Sequence, residues 1–320
     1  MNDQFKIAVL KTLAYFDIFD FALTKEELYH CLWNTDYTDF KLDYTDFLKK
    51  LDRLADEEPS IDHRHSFYFL AGRIDNVDKR QSTISIFEKK MKIARRAVRK
   101  MRWVPFVRAV FVCNTVAGGG LSEESDIDVF VVIKKKRIWL ARFLITLILS
   151  LYRLRRNKKV SKDKICLSFY VTDDHLDISD VSIDTPDIYM IYWLDQLIPI
   201  YDPENVLADI HSANQWTKKF TPHNFQDFKL SSRFRVDNNK FQIVLRRFFE
   251  KVWTTGYGDL LESQAREIQK KKMSRNYDSV KDAPDNRVVI SDSMLKFHEN
   301  DRRVHFREEW EKRCYKFNLN

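Results

Sequence analysis

The chain has 320 residues, 44% of them hydrophobic, enough to bury two or three cores and too apolar to remain disordered. With 32% charged residues and a mean hydropathy of −0.46, it is not built mainly of membrane spans. The net charge of +8 is unevenly placed: residues 1–62 hold 7 Lys+Arg against 14 Asp+Glu, a local −7, so the remainder carries +15 and with it the attraction for phosphates.

Met1–Phe21 lacks the basic, apolar and small-residue order of an export signal and instead starts a helix, with Ile7, Leu10, Leu13, Ala14 and Ile18 as its apolar stripe. Thr24 and Glu27 have the spacing of a capping box that opens a second helix through Leu28 and Leu32. A third helix follows on Phe47, Leu48, Leu51 and Leu54, and Ser60–Leu70 reads as a hairpin. Three helices and a hairpin over residues 1–75 predict a winged-helix-like unit. The third helix sets Lys49, Lys50 and Arg53 against Asp43, Asp46, Asp52, Asp56, Glu57 and Glu58, which argues against DNA binding and for protein or interdomain contact. His63 and His65 alternate on an expected surface strand and read as solvated.

A long helix comes next, with Ile84, Phe87, Met91, Ala94, Val98 and Met101 on one face and Arg95, Arg96, Arg99, Lys100 and Arg102 on the other. Pro105 ends it, and Phe106–Cys113 is a β-branched run that predicts a strand. The loop Asn114–Ser125 then concentrates Gly118, Gly119 and Gly120, three of the six glycines in the chain.

A second strand, Asp126–Ile133, begins with two acids one residue apart. Side chains at i and i+2 of a strand share a face, so Asp126 and Asp128 are predicted to stand side by side. Two adjacent carboxylates repel unless a cation lies between them, and such oxygen donors suit Mg²⁺ or Mn²⁺. Ile138–Tyr152 is apolar but shorter than the roughly 20 residues a membrane span needs, so a buried helix is expected there. Lys164–Val171 predicts a further strand. Helices are expected at Pro186–Ile200, Asn205–Lys219, Phe241–Trp253 and Leu260–Met273, with Ser274–Arg287 as a polar loop. Cys31, Cys113, Cys166 and Cys314 lie far apart with no CxxC spacing, which fits free thiols in a reducing cytoplasm.

The strand, glycine-containing loop and acid-hydrophobic-acid strand resemble the signature of the DNA polymerase β-like nucleotidyltransferase superfamily. The order of elements, with the stretches FVRAVFVC, SDIDVFVV, KICLSFYV and KFHENDRR, resembles an uncharacterised prokaryotic group of it with an N-terminal winged helix. The resemblance implies an α+β fold: a small mixed nucleotidyltransferase sheet flanked by helices, with N-terminal winged-helix and C-terminal helical parts. Its units would span residues 1–75, 76–200 and 201–320. It implies transfer of an NMP from an NTP to an acceptor hydroxyl of a small molecule, protein or RNA, with pyrophosphate leaving. Asp126 and Asp128 would hold Mg²⁺ or Mn²⁺, and Asn114, Thr115, Gly119, Gly120 and Ser125 would bind the nucleotide.

The chain departs from the signature twice. Asn114-Thr115 stands where the superfamily has Gly-Ser, although Asn tolerates the left-handed conformation. The later strand carries no third carboxylate: Ser168 takes its expected position, with Asp173 and Asp174 just beyond as substitutes. That absence makes a degraded fold acting as a nucleotide- or RNA-binding regulator the alternative. His298, Asp301 and Arg302 in KFHENDRR read as ordinary polarity on a helix surface.

Overall fold

A computed structural model describes residues 2–34, 42–114, 120–184, 186–223, 230–275, 279–282 and 285–319. The chain is mixed α+β, with a mixed sheet flanked by helices. Its N-terminal part folds as α1 (Asn2–Asp17), β1 (Leu23–Thr24), α2 (Lys25–His30), α3 (Tyr44–Glu57), β2 (Ile61–Arg64) and β3 (Phe67–Leu70). The capping box forms as its spacing requires: the Thr24 hydroxyl accepts from Glu27 N, and the Glu27 carboxylate accepts from Thr24 N at 2.9 Å. β2 and β3 make an antiparallel hairpin whose turn residues, His65 and Ser66, both have positive φ, and β1 pairs on the far side of β3.

The long helix α4 (Asp75–Met101) leads into a six-stranded sheet of order β7-β4-β5-β6-β9-β8. Its strands are β4 (Val107–Val112), β5 (Ile127–Ile133), β6 (Ile165–Thr172), β7 (Ile198–Tyr201), β8 (Val288–Ile290) and β9 (Met294–Phe297). Only β5 and β6 run parallel. The period of two sorts each strand between two cores. On β5, Ile127, Val129, Val131 and Ile133 join the core under α4, α5 (Ile138–Leu151) and α9 (Gly256–Ser274), whereas Phe130 and Val132 face α6 (Ile188–Asp195) and α7 (Val206–Ala213).

α5 buries Ile138, Trp139, Leu140, Ala141, Ile145 and Leu149, and no helix among the described residues is long and apolar enough to cross a membrane. α6 is apolar almost all round and packs between two cores, with Met190, Trp193 and Leu194 toward the sheet and Ile188, Ile191 and Tyr192 toward the N-terminal part. α8 (Lys240–Val252) lies near the start of β4, where Arg246 donates to Val107 O, and α10 (Arg303–Lys316) returns to α1. There Trp310 Nε1 donates to Lys11 O at 2.9 Å and Arg313 pairs with Asp17 at 3.0 Å.

Two expectations are corrected. The segment 186–200 is not one helix: it breaks after Asp195 into β7, where Pro199 is tolerated because β7 is an edge strand. The C-terminal part is not wholly helical either, because β8 and β9 form a hairpin that extends the sheet beyond β6. Strands of three and four residues are too short for an alternation to register in the sequence.

Candidate active site

The end of β4 and the starts of β5 and β6 meet at one end of the sheet. Cys113 N donates to Asp128 O at 3.1 Å, carrying the β4–β5 ladder one step further, and Ile127 N donates to Lys164 O at 2.8 Å. Asp128 is on the same side of β5 as Phe130, facing α6, and it is the one position of that strand that is not fully buried. Asp126 precedes β5 by one residue and shares that face, so the two carboxylates converge as the spacing requires.

The third group at this point is Cys166. Parallel pairing sets it directly beside Asp128, and an oxygen of each carboxylate and Cys166 Sγ all lie within 4.8 Å of one another. Between Asp128 and Phe130 the register slips, so three residues of β6 answer two of β5; Asp128 therefore faces Cys166 instead of the Leu167 that an even register from Phe169 would give, and Ser168 is not its partner. Ser168 is 5% exposed and its hydroxyl has no hydrogen-bond partner among the described residues. Asp173 is at the other end of the sheet, where its N donates to Ile133 O and its carboxylate accepts from Lys135 N, so neither it nor the adjacent Asp174 can complete the pair at Asp126. Lys134–Lys136 lie at that far end as well.

Charge at the site is only partly compensated. Burial, then the neighbouring Asp126 charge, raises Asp128 from its ordinary 3.8 to about 6, while hydrogen bonds from Asn114 and Cys166 and the Arg156 charge pull it back. Burial pushes the Cys166 thiol up as well, with the two carboxylate charges acting in the same direction. Arg156 Nη1 lies 2.6 Å from Asp126 Oδ2 and 3.7 Å from Cys166 Sγ, and its side chain is half exposed.

Asn114 has φ +55°, the left-handed conformation that Asn tolerates. Its side-chain oxygen accepts from Trp193 Nε1 at 2.8 Å and Tyr189 OH at 3.3 Å, which holds it against α6 beside Asp128. Thr115 and Gly119 lie outside the described residues. Gly120, with φ +71°, is set apart from the carboxylates: it lies near Phe19 and lines a separate cavity of about 740 Å³ between the N-terminal part and α4. Ser125 turns its hydroxyl onto Ser122, at 3.1 Å from the backbone N and 3.0 Å from Oγ.

Lys90, which no linear pattern marks out from the other basic residues of α4, is fully buried. Its ammonium donates to Glu123 O at 2.9 Å and to Ser125 O, and pairs with Asp163 at 2.8 Å. One buried charge thus ties the segment entering Asp126 to the turn entering β6.

Asp128 and Cys166 open into a cleft of about 920 Å³. Among the described residues, eight basic side chains line it against three acidic ones; Arg155, Arg156, Lys158 and Lys159 come from the segment between α5 and β6. His298, Asp301 and Arg302 line the same cleft, which corrects the expectation of helix-surface polarity: they lie between β9 and α10, not on a helix. Arg303 is buried and reaches Asp187 at 2.8 Å, Asp301 at 2.8 Å, Val181 O and Asn286 Oδ1. Lys296 pairs with Asp301 at 3.2 Å; burial and the Arg303 charge lower it to about 8. Burial, then the Lys296 charge, lowers His298 to about 4, so its ring is neutral at pH 7, and its Nε2 has no hydrogen-bond partner among the described residues.

His63 and His65 are exposed on the hairpin, and the four cysteines are free thiols. No protein-family model and no curated protein matches the chain.

Proposed function

We propose that the protein is a metal-dependent nucleotidyltransferase that moves an NMP from an NTP to an acceptor hydroxyl. One observation carries this reading: Asp126 and Asp128 converge at the edge of a core strand, beside a cleft lined mainly by basic side chains. The donor set fits a divalent cation, since two carboxylates share one face and the proton affinity of Asp128 is raised by burial and then by a neighbour of like charge. Asp126 and Asp128 would hold Mg²⁺ or Mn²⁺, which when bound neutralises triphosphate charge and polarises the reacting phosphoryl oxygens.

The chain's own groups supply the rest. Arg155, Arg156, Lys158 and Lys159 offer positive charge to the triphosphate. Arg156 leaves Asp126 for the incoming phosphates, a movement open to a side chain that is half exposed. Asn114, fixed by Trp193 and Tyr189, orients Asp128. In the transfer the acceptor oxygen bonds to the α-phosphorus, the bond from that phosphorus to the bridging oxygen breaks, pyrophosphate leaves, and the hydroxyl proton passes to solvent.

In this reading residues 1–75 are a winged-helix-like unit whose acidic charge suits contact with protein, residues 76–200 hold the transferase, and residues 201–320 shape the acceptor side of the cleft. A cytoplasmic location fits four free thiols and the supply of NTP. The test is incubation with labelled ATP, GTP, CTP and UTP in the presence of divalent cations. Label transfer or pyrophosphate release should depend on metal and vanish in Asp126→Asn/Asp128→Asn; transfer that persists in the double variant defeats the assignment.

The thiol at the third corner favours a second reading, a nucleotide- or RNA-binding regulator without turnover. Calorimetric NTP binding with no product under any divalent cation supports it, and measurable turnover removes it.

A further inference from the structure

We infer that Cys166 is the third ligand of the site and that its sulfur turns the site's preference from Mg²⁺ toward a thiophilic divalent cation such as Zn²⁺ or Co²⁺. This rests on the reading that Asp126 and Asp128 hold a cation, and it adds which cation and why.

Three observations carry it. The ligand atoms come from the starts of two hydrogen-bonded strands: Cys166 is the in-register partner of Asp128, and the three atoms lie within 4.8 Å of one another. Among the described residues no other trio of His, Cys, Asp or Glu meets that condition. Next, a positive charge already reaches both donor types, because the Arg156 guanidinium touches a carboxylate oxygen of Asp126 and lies 3.7 Å from Cys166 Sγ. It marks where a cation is stabilised, and its half-exposed side chain can withdraw. Finally Ser168, two residues along β6, is 5% exposed and lines the same cleft with its hydroxyl unpartnered among the described residues, a polar group left for a ligand or ligated water to satisfy.

Donor chemistry then decides the metal. Oxygen ligands alone suit Mg²⁺ and Mn²⁺, which gain little from sulfur, whereas a thiolate favours Zn²⁺ and Co²⁺. On binding, the S–H bond breaks heterolytically, its proton goes to solvent and a metal–sulfur bond forms, with no change of oxidation state. The three other cysteines are buried and lie outside the trio.

The experiment titrates the full-length, metal-free protein with Co²⁺ and reads thiolate-to-cobalt charge-transfer absorption in the near ultraviolet, alongside equilibrium dialysis. The band should appear in the wild type and be absent from Cys166→Ser, a near-isosteric change checked for folding by its thermal melt. Losing this ligand should weaken Co²⁺ binding at least as much as losing an outer-shell partner does, about 10–100-fold. Zn²⁺ should displace Co²⁺ at far lower concentration than Mg²⁺, and Cys166→Asp should narrow that gap. Co²⁺ bound without the band, or a band that persists in Cys166→Ser, overturns the inference while leaving a carboxylate-held cation standing. No Co²⁺ retained by the folded wild type overturns both.

Discussion

Asp128→Asn should stabilise the metal-free protein, although it removes a group assigned to the chemistry. In the wild type the Asp128 carboxyl is raised from 3.8 to about 6, first by burial and then by Asp126. The folded state therefore binds more protons than the unfolded state between those values, and stability falls as pH rises through about 4 to 6. Roughly two units at about 1.4 kcal/mol each set a ceiling near 3 kcal/mol. Because Asp128 is not fully buried, solvent screening reduces the expected gain of the variant to about 2 kcal/mol at pH 7.5, vanishing near pH 4. The assay is urea unfolding in EDTA from pH 4 to 8, compared with the wild type at each pH. A cation that binds the folded state should reverse the order, since at 100 times its Kd it stabilises the wild type by about 2.7 kcal/mol and has lost a ligand in the variant. A variant no more stable than the wild type at pH 7.5, or a difference that does not change with pH, would refute the idea that burial and like charge strain this carboxylate.

Three further outcomes follow from the groups around the site. Lys90→Met leaves the Glu123 and Ser125 carbonyls without their donor while Asp163 keeps Lys89, so unfolding free energy should drop by about 3 kcal/mol; a urea-measured loss below about 1 kcal/mol would contradict the staple. His298 is held below its ordinary value by burial and by Lys296, so it contributes stability that is lost as pH falls from 6.5 through about 4, and His298→Gln should flatten that limb of the wild-type pH profile. Arg303→Met strands Asp187, which is fully buried, and should cost about 3–5 kcal/mol in thermal or urea unfolding; Arg303→Lys should recover little, because an ammonium cannot reproduce the fork to Asp187, Asp301 and Asn286.

What the sequence determined by itself is what depends on neighbours along the chain. The capping box at Thr24, the hairpin at 61–70, the core helix from Ile138, and the β-branched strands before and after the glycines follow from spacing, propensity and apolar period. So does the convergence of Asp126 and Asp128, since strand geometry puts i and i+2 on one face whatever the fold. The tertiary structure alone decided which groups from distant segments join them. The slip in β6 brings Cys166 rather than the apolar Leu167 opposite Asp128, and a bulge is a property of pairing rather than of one strand. Lys90 becomes a buried staple because three oxygens from two loops meet its ammonium, and His298 enters the cleft because β8 and β9 extend the sheet past β6. Desolvation and strand register depend on what packs across the chain, and a linear pattern holds no record of that.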